Sequence, residues 1–330
     1  MARLPATIAL AVLAGWSPLQ AAEVAVTATP LPTFGEVALD GAVGGLIFRG
    51  GVSLVAQDDT FGGLSSLAIT GPGQQVSFVT DRGSFVSGQL AYDDANRLFG
   101  LIGVTVEPMQ NSQGALLPRQ YAKDAEAVDT VYRNGAAVAV RVAFEHLTRV
   151  ADFTLTDGVP GGAAREIAIP DWLTDLRTNA SLESLCIAPP ASPVAGSTLL
   201  IAEDRDDGAG NHSAWLLGQN DKGPLSYRAN DGLYPTDCAF LPNGDLLVLE
   251  RGLSMLTFAM ALRRVPAAEV RPGQVMAGAL LLSASGNAID NMEALAVHQA
   301  PGGETRILIG SDNNFNDWQR SLLLEFALAE

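Results

Sequence analysis

The fold is decided by the C-terminal stretch at residues 291–328, NMEALAVHQAPGGETRILIGSDNNFNDWQRSLLLEFAL. Two apolar runs, at 294–297 and 307–310, flank a turn rich in Gly and Pro, which is the pattern of a β-hairpin. Glu293 precedes the first run, and Asp312 follows the second. Because the two strands of a hairpin are antiparallel, these carboxylates should lie side by side at one edge of the sheet.

The same hairpin occurs four more times upstream, which indicates an internal repeat. The positions that open the five copies are Ser65, Glu126, Glu183, Asp237 and Glu293. The steps between them are 61, 57, 54 and 56 residues, and each unit has apolar runs for about four strands. The sequence therefore predicts an all-β fold: a single β-propeller of four-stranded blades with five motif-bearing repeats. A two-sheet sandwich would not explain an acidic hairpin that recurs at a nearly constant step.

The number of blades stays open between five and six. The last repeat contains three candidate strands, one fewer than a blade needs. Residues 24–57 either supply the missing outer strand and close the ring or form much of a sixth blade. No linker divides the chain after residue 22, so we expect residues 23–330 to form one domain.

The charge and the N-terminus indicate an exported protein that does not bind nucleic acid. The chain has 330 residues, a formal net charge of -16 and a pI of about 4.5, whereas phosphate contacts need clustered Lys and Arg. Residues 1–22 combine Arg3, an apolar run at 6–16 and a small-residue segment, the layout of a secretory signal peptide. No later stretch is long and apolar enough to span a bilayer. We expect a periplasmic or secreted protein, whose oligomeric state the sequence does not predict.

The two cysteines, Cys186 and Cys238, occupy similar places in neighbouring repeats. An oxidising compartment would allow them to form a disulfide. The alternative is a pair of small buried apolar side chains, because the sequence does not show whether their Cα atoms come within bridging distance.

The acids that flank the hairpins should form an acidic mouth, because equivalent edges of propeller blades face one end of the central channel. They are Asp81, Glu126, Glu145, Glu183, Glu203, Asp237, Glu250, Glu293 and Asp312. So many like charges repel one another, and Ca²⁺ is the expected compensating ion because it accepts about six to eight oxygen ligands. The alternative is that each acid closes its own hairpin through hydrogen bonds to backbone N–H groups.

Four further residues are predicted to bind substrate at this mouth: Arg82, Arg251, His146 and Asn313. A guanidinium group can hold an anionic group through a forked contact. The chain has no Gly-x-Ser-x-Gly elbow, His-Glu-x-x-His motif or P-loop, which argues against the common serine hydrolases, zinc proteases and nucleotide enzymes. The sequence assigns no catalytic residue.

Short motifs spread along the chain resemble a known family. They are FGGLS at 61–65, TDRG at 80–83, DAEA at 124–127, LESL at 182–185, NMEAL at 291–295 and SDNNFNDWQR at 311–320. Together they resemble the phytase-like domain described as "esterase-like activity of phytase", over about residues 45–328. The resemblance implies a β-propeller related in architecture to alkaline phytases, which use calcium to bind phosphate esters, but it implies no catalytic set. Ser65 and Asn313 depart from the family pattern, and each removes a carboxylate from the expected calcium site.

The leading hypothesis is an exported calcium-dependent hydrolase that acts on a phosphate ester or a small carboxylic ester at the acidic mouth. The expected partner is thus a small anionic or ester molecule. The alternative is a non-catalytic propeller that binds a ligand or a protein partner and uses calcium structurally, which fits the lack of a recognisable nucleophile equally well. A sugar-lactone hydrolase with one divalent ion is a third interpretation that rests on architecture alone.

Overall fold

A computed structural model describes residues 21–72, 74–175, 181–254 and 257–329 of the protein. The predicted signal peptide, residues 1–22, lies outside these ranges except for its last two residues. Each of the two α-helices in the described residues has four residues, so strands carry the fold.

The strands before the third repeat form an N-terminal segment and two four-stranded repeats. The N-terminal segment contains β1 (Ala22–Glu23), β2 (Val26–Pro30), β3 (Thr33–Phe34), β4 (Val37–Ala38), β5 (Ala42–Val43) and β6 (Leu46–Ala56). The first repeat contains β7 (Leu64–Gly71), β8 (Gln75–Thr80), β9 (Ser84–Tyr92) and β10 (Leu98–Pro108). After α1 (Gln120–Lys123), the second contains β11 (Ala125–Arg133), β12 (Ala136–Phe144), β13 (Arg149–Thr156) and β14 (Val159–Ile167).

The remaining strands build three more repeats. After α2 (Asp171–Thr174), the third contains β15 (Leu182–Ile187), β16 (Thr198–Asp206), β17 (His212–Leu217) and β18 (Gly223–Tyr227), and β22 (Val275–Met276) pairs with its edge. The fourth contains β19 (Tyr234–Phe240), β20 (Leu246–Ser254), β21 (Thr257–Val265) and β23 (Ala279–Ser285), with 3₁₀ turns at Ala267–Glu269 and Gly286–Ala288. The fifth contains β24 (Asn291–Gln299), β25 (Thr305–Asp312) and β26 (Ser321–Leu328).

The repeats are arranged in a closed ring, as expected of a β-propeller. The first strands of the repeats contact one another in the order β7, β11, β15, β19 and β24, and β24 contacts β7. The N-terminal β6 pairs with β26 and becomes the outer strand of the last sheet. Residues 24–57 therefore supply the missing strand, which is the first of the two expected roles.

Buried apolar side chains fill the spaces between neighbouring sheets. One cluster joins the third and fourth repeats through Leu199, Tyr227 and Val248, and another joins the first and fifth through Phe78 and Leu308. Burying one such side chain contributes about 1.5–3 kcal/mol. Since the inner strands pack between two sheets, they read as continuous apolar runs rather than alternating ones.

A disulfide ties the third repeat to the fourth. Cys186 on β15 and Cys238 on β19 are bonded, with their Cα atoms 5.7 Å apart. The two alternatives left open by the sequence are thus decided in favour of the bridge, because neighbouring inner strands bring these positions within bridging distance.

A one-residue β-bulge lies at the same place in the first strand of all five repeats. The residues inserted relative to the second strand are Ser65, Glu126, Glu183, Thr236 and Glu293. Four of them are the positions that the repeat alignment selects. In the fourth repeat the bulge falls at Thr236, so the predicted alignment through Asp237 is wrong by one residue.

Candidate functional site

The acidic mouth lies where the first two strands of the repeats reach one end of the channel. A bulge re-aims the side chain of its extra residue, and in three repeats that residue is a glutamate. The residue just beyond the bulge on the second strand is acidic in four repeats. The mouth carboxylates are therefore Glu126, Glu183 and Glu293 from the bulges and Asp81, Glu145, Glu203 and Asp312 from the second strands.

The fourth repeat supplies a cation to the mouth. Its bulge residue is Thr236, and Arg251 lies where the other second strands carry an acid. Arg251 Nη1 donates to Glu293 Oε1 at 2.6 Å and to Asn291 Oδ1 at 2.6 Å. Its Nη2 lies 3.4 Å from Glu203 Oε1. Arg251 therefore joins acids of the third and fifth repeats.

The electrostatics of Arg251 reflect this position. Burial lowers the pKa of the guanidinium, whereas the surrounding carboxylates, Glu293 foremost and then Glu183 and Glu203, raise it. The net shift of the Arg251 pKa is upward. The acids therefore stabilise its charge more than burial disfavours it.

Two mouth glutamates lie in close contact with other carboxyl groups. The carboxyl of Glu126 forms a hydrogen bond with that of Asp124, and the carboxyl of Glu183 forms one with that of Glu145. Burial raises the pKa of Glu126 and of Glu183 well above the usual value, and the neighbouring acids raise it further. Carboxyl groups this close must share a proton or receive a cation.

Asp312 and Asp81 extend the acidic cluster into the fifth and first repeats. Asp312 is buried, and its Oδ1 accepts a hydrogen bond from the Asn314 N–H at 2.6 Å. Burial, followed by the Glu293 charge, raises the pKa of Asp312 well above its usual value. Burial and the Asp124 charge raise the pKa of Asp81 to about 6. The buried Asp81 Oδ1 has no hydrogen-bond partner in the part of the chain that the structure describes.

Asp124, Glu145 and His146 form a candidate metal-binding group. One ligand atom from each lies within 4.8 Å of the others, and His146 Nε2 is 3.1 Å from Asp124 Oδ2. His146 has a φ of +47°, an uncommon left-handed conformation for a residue with a side chain. Asp124 is not among the acids predicted from the sequence, although it belongs to the DAEA motif and precedes Glu126 by two residues, which is a usable signal.

Asp237 lies below the mouth, inside the channel. Its Oδ2 accepts hydrogen bonds from Ser66 Oγ at 2.8 Å and from the Leu295 N–H at 2.8 Å. Its Oδ1 accepts one from the Cys238 N–H at 2.8 Å. Burial raises the pKa of Asp237 well above its usual value. The carboxylate therefore links three inner strands and is not grouped with the mouth acids.

Glu250 is also separated from the mouth. Its carboxylate accepts hydrogen bonds from Tyr227 Oη at 2.8 Å and Asn230 Nδ2 at 2.5 Å, and it pairs with Arg263 Nε at 2.8 Å. The side chain is 1% exposed. All these partners lie on the third and fourth repeats, so Glu250 stabilises the contact between their sheets.

Arg82 and Asn313 lie at the rim, in a contact between the first and fifth repeats. The exposed Arg82 guanidinium stacks on the Phe315 ring, 3.4 Å from its centroid. Asn313 Oδ1 accepts hydrogen bonds from the N–H groups of Gly63 at 3.0 Å and Phe315 at 3.1 Å. Gly63 has a φ of +60°, and a Cβ there would stand 2.5 Å from Asp81 Oδ1. Glycine is therefore required where the loop approaches Asp81.

The donor set of the mouth fits a hard cation. Its carboxylate oxygens match the preference of Ca²⁺ for oxygen ligands. The unpartnered Asp81 Oδ1 adds an open acceptor. The His146 imidazole is a ligand more typical of zinc and other transition metals. The oxygen-rich part of the mouth thus fits calcium, and the imidazole does not add to that fit.

A family model described as "Phytase-like: Esterase-like activity of phytase" matches residues 59–315. The chain belongs to this family. The resemblance carried by the short motifs is thereby confirmed, and the match spans the five hairpins from the first bulge to the closing Asn-rich loop. Among curated proteins, none matches the chain.

Solved structures with similar folds include several propellers. One is the PQQ-bound aldose sugar dehydrogenase from Streptomyces coelicolor, with 11% identity, a TM-score of 0.44, and coverage of 92% of this phytase-like chain and 98% of that one. Another is the RRP9 WD40 repeats, with 10% identity, a TM-score of 0.40, and coverage of 93% and 100%. A third is the Cps50 (Swd1) β-propeller domain of Myceliophteria thermophila, with 10% identity, a TM-score of 0.38, and coverage of 81% and 96%.

The α-helices in the described residues of the phytase-like chain have four residues each. None of the helices in its described residues has the length and hydropathy needed to cross a bilayer.

Proposed function

We propose that the protein is an exported calcium-dependent hydrolase that acts on a phosphate ester or a small carboxylic ester at the acidic mouth. The observation that carries the proposal is the convergence of carboxylates from four repeats on one end of the channel. Carboxyl groups that lie side by side, such as Glu126 with Asp124 and Glu183 with Glu145, support the proposal because a cation would relieve their repulsion.

The residues that would hold the ion are those with crowded oxygen donors. We assign this role to Asp124, Glu126, Glu145 and Glu183, with Glu293 and Asp312 on the opposite side of the ring. A bound Ca²⁺ supplies positive charge that polarises a phosphoryl or carbonyl oxygen. Arg251 orients Glu293 and Glu203 through the contacts described above.

We assign the other mouth residues roles in substrate binding and proton transfer. The exposed guanidinium of Arg82 can receive an anionic group, because its contacts are the stacking on Phe315 and one long hydrogen bond from Nη1 to the Asp59 carbonyl oxygen at 3.4 Å. His146 can donate to substrate from the same rim. Asp81 Oδ1, which has no partner in the described residues, can accept the proton of an attacking water. Asn313 holds the loop that covers this oxygen.

Export is part of the proposal. The signal-like residues 1–22 support it, and so does the Cys186–Cys238 disulfide, because such bridges persist mainly in oxidising compartments. Periplasmic or secreted protein should therefore carry the bridge and begin near residue 23. Mass spectrometry of the exported protein would measure both features.

The test is a turnover assay with phytate, p-nitrophenyl phosphate and short acyl esters, in calcium and then in EDTA. We expect turnover of one class that is lost in EDTA and restored by calcium. Glu126→Gln and Glu183→Gln should reduce turnover at least tenfold, whereas Glu250→Gln, whose carboxylate lies away from the mouth, should not.

Calcium binding measured by titration calorimetry separates this function from its alternative. Binding without turnover of any substrate would favour a propeller with structural calcium. The absence of both calcium binding and turnover would overturn the proposal.

A further inference from the structure

A large cavity in the described part of the chain lies at the end of the channel opposite the mouth. It has a volume of about 740 Å³, within the range of small-molecule sites, and all five first strands contribute to its wall. Its lining is mostly apolar and includes Leu67, Ile187, Phe240 and Val297. We call it the far cavity. The hairpin turn at Asn134–Gly135 lies at its rim.

One carboxylate, Asp129, lies in this apolar wall. It is the charged residue among those that line the far cavity. Its Oδ1 accepts a hydrogen bond from the Thr130 N–H at 2.6 Å, and its Oδ2 accepts one from the Ile187 N–H at 2.7 Å. A carboxylate has about four acceptor sites, so these two bonds leave acceptor capacity towards the cavity.

Arg141, the cation that acts on Asp129, forms its own hydrogen bonds with other residues. Arg141 acts on Asp129 over a distance, but its Nε donates to Asp152 Oδ1 at 2.7 Å and its Nη1 donates to Thr198 Oγ1 at 2.6 Å. Burial raises the pKa of Asp129 to about 6 despite the two backbone hydrogen bonds. Asp129 is therefore an incompletely compensated carboxylate that a ligand of opposite charge would stabilise.

We propose that the far cavity binds a small organic cation, whose ammonium group contacts Asp129 and whose apolar body packs against the walls. An inorganic cation does not fit, because one carboxylate among apolar side chains lacks the oxygen ligands that such an ion needs. Tyr132 lies at the opening with 58% of its surface exposed, and its ring can contact an ammonium group. This site is separate from the mouth.

The disulfide belongs to the wall of the far cavity. Cys238 lines the cavity, and its bond to Cys186 fixes the spacing between β15 and β19, the first strands of the third and fourth repeats. The cavity is thus held open before a ligand arrives, which lowers the cost of binding.

Three probes of similar size test the proposal: phenethylammonium, phenethyl alcohol and phenylacetate. Binding to the full chain is measured by calorimetry in saturating calcium, so that the mouth acids are occupied. We expect the ammonium to bind at least tenfold more tightly than the alcohol, and phenylacetate not to bind. Equal affinity for the ammonium and the alcohol, or no binding of the ammonium, would overturn the proposal.

Matched variants locate the binding. Asp129→Asn should weaken ammonium binding at least tenfold and change alcohol binding less than twofold, and Tyr132→Ala should weaken ammonium binding several-fold. Glu126→Gln at the mouth should leave ammonium binding unchanged. Loss in Glu126→Gln with retention in Asp129→Asn would place the ammonium at the mouth and overturn the proposal. If Asp129→Asn does not fold, Tyr132→Ala provides the test, because Tyr132 is exposed. An unchanged affinity of that variant for phenethylammonium would overturn the proposal. This readout does not depend on turnover.

Discussion

The third and fourth repeats are neighbours with the same hairpin, and a disulfide joins them, yet they give the mouth opposite charges. The third repeat presents Glu183 and Glu203, whereas the fourth presents Arg251 beside a neutral Thr236. The guanidinium contacts Glu203 across the boundary between the two repeats. The fourth repeat therefore supplies part of the counter-charge for the third.

The difference arises from the residues that occupy equivalent positions, since the bulge lies at the same place in every repeat. In the fourth repeat Thr236 is the bulge residue, and Arg251 occupies the position that is acidic in the other repeats. Glu250 lies one residue earlier; because successive side chains of a strand face opposite sides, it contacts Tyr227 and Arg263 instead of the mouth. The acidic residues of an internal repeat thus predict a charged mouth, but the bulge decides which of them belong to it.

The largest effect should come from breaking the covalent link between these repeats. Replacing Cys186 and Cys238 with Ser removes a bridge across 52 residues, which should lower the free energy of unfolding by about 4 kcal/mol. Urea unfolding of oxidised protein and of the double variant measures the loss. A reducing agent should have no further effect on the variant, and equal stabilities would contradict a bridge between the repeats.

Arg251→Met should lower the free energy of unfolding by about 3 kcal/mol in the absence of calcium, because it removes the guanidinium that contacts Glu293 and Glu203. Urea unfolding in EDTA measures the loss. Arg264→Met is the matched control, since its ion pair with Asp245 is more exposed and should contribute less than about 1 kcal/mol. Similar losses for the two variants would show that Arg251 is not a counter-charge of the mouth.

Glu250→Gln should mainly lower the free energy of unfolding, whereas Glu203→Gln should mainly lower the affinity for calcium. The first removes an acceptor charge from Arg263 and should lower the free energy of unfolding by about 2 kcal/mol without changing calcium affinity. The second should weaken calcium binding about tenfold with a smaller effect on stability. Calorimetric titration and urea unfolding of both variants test this. A loss of calcium affinity in Glu250→Gln would contradict the register argument.

The smallest effect concerns pH. Burial raises the pKa of Asp237 in the folded state, so its carboxyl group stays protonated up to a higher pH in the folded state than in the unfolded state. The stability that this group contributes is present at low pH and is lost as pH rises from near 4 through the raised pKa, by at most about 1.4 kcal/mol per pH unit. Asp237→Asn should flatten this decline when unfolding is followed from pH 4 to 8 in EDTA. Parallel curves for the two proteins would contradict it.

Much of the fold could be predicted from the sequence because it depends on local pattern. The acidic hairpins recur at a nearly constant step, and the three strands of the last repeat predict that a strand is needed from elsewhere. The pairing of β6 with β26 supplies it. Four of the five bulge residues are also positions that the repeat alignment selects, because each of them lies near the start of an apolar run.

Part of the site could not be predicted, since it depends on contacts between repeats. A substrate-binding role of Asn313 stays a prediction, and the structure adds that its Oδ1 accepts hydrogen bonds from the N–H groups of Gly63 and Phe315. Asp124 was overlooked because its partner, His146, follows the opposite strand. The contacts of Asn313 with Gly63 and of Asp124 with His146 join residues that are far apart in the sequence.

The repeat, the all-β class and the acidic character of the mouth follow from the sequence alone, because spacing and charge are properties of the chain, and the family follows from the resemblance of its short motifs. The folded structure was needed to show that Cys186 and Cys238 are bonded, that Arg251 pairs with Glu293 and Glu203, and that Glu250 lies away from the mouth. The physical reason is register. One inserted residue reverses the face on which a side chain lies, and the pairing of whole strands fixes where that residue is inserted.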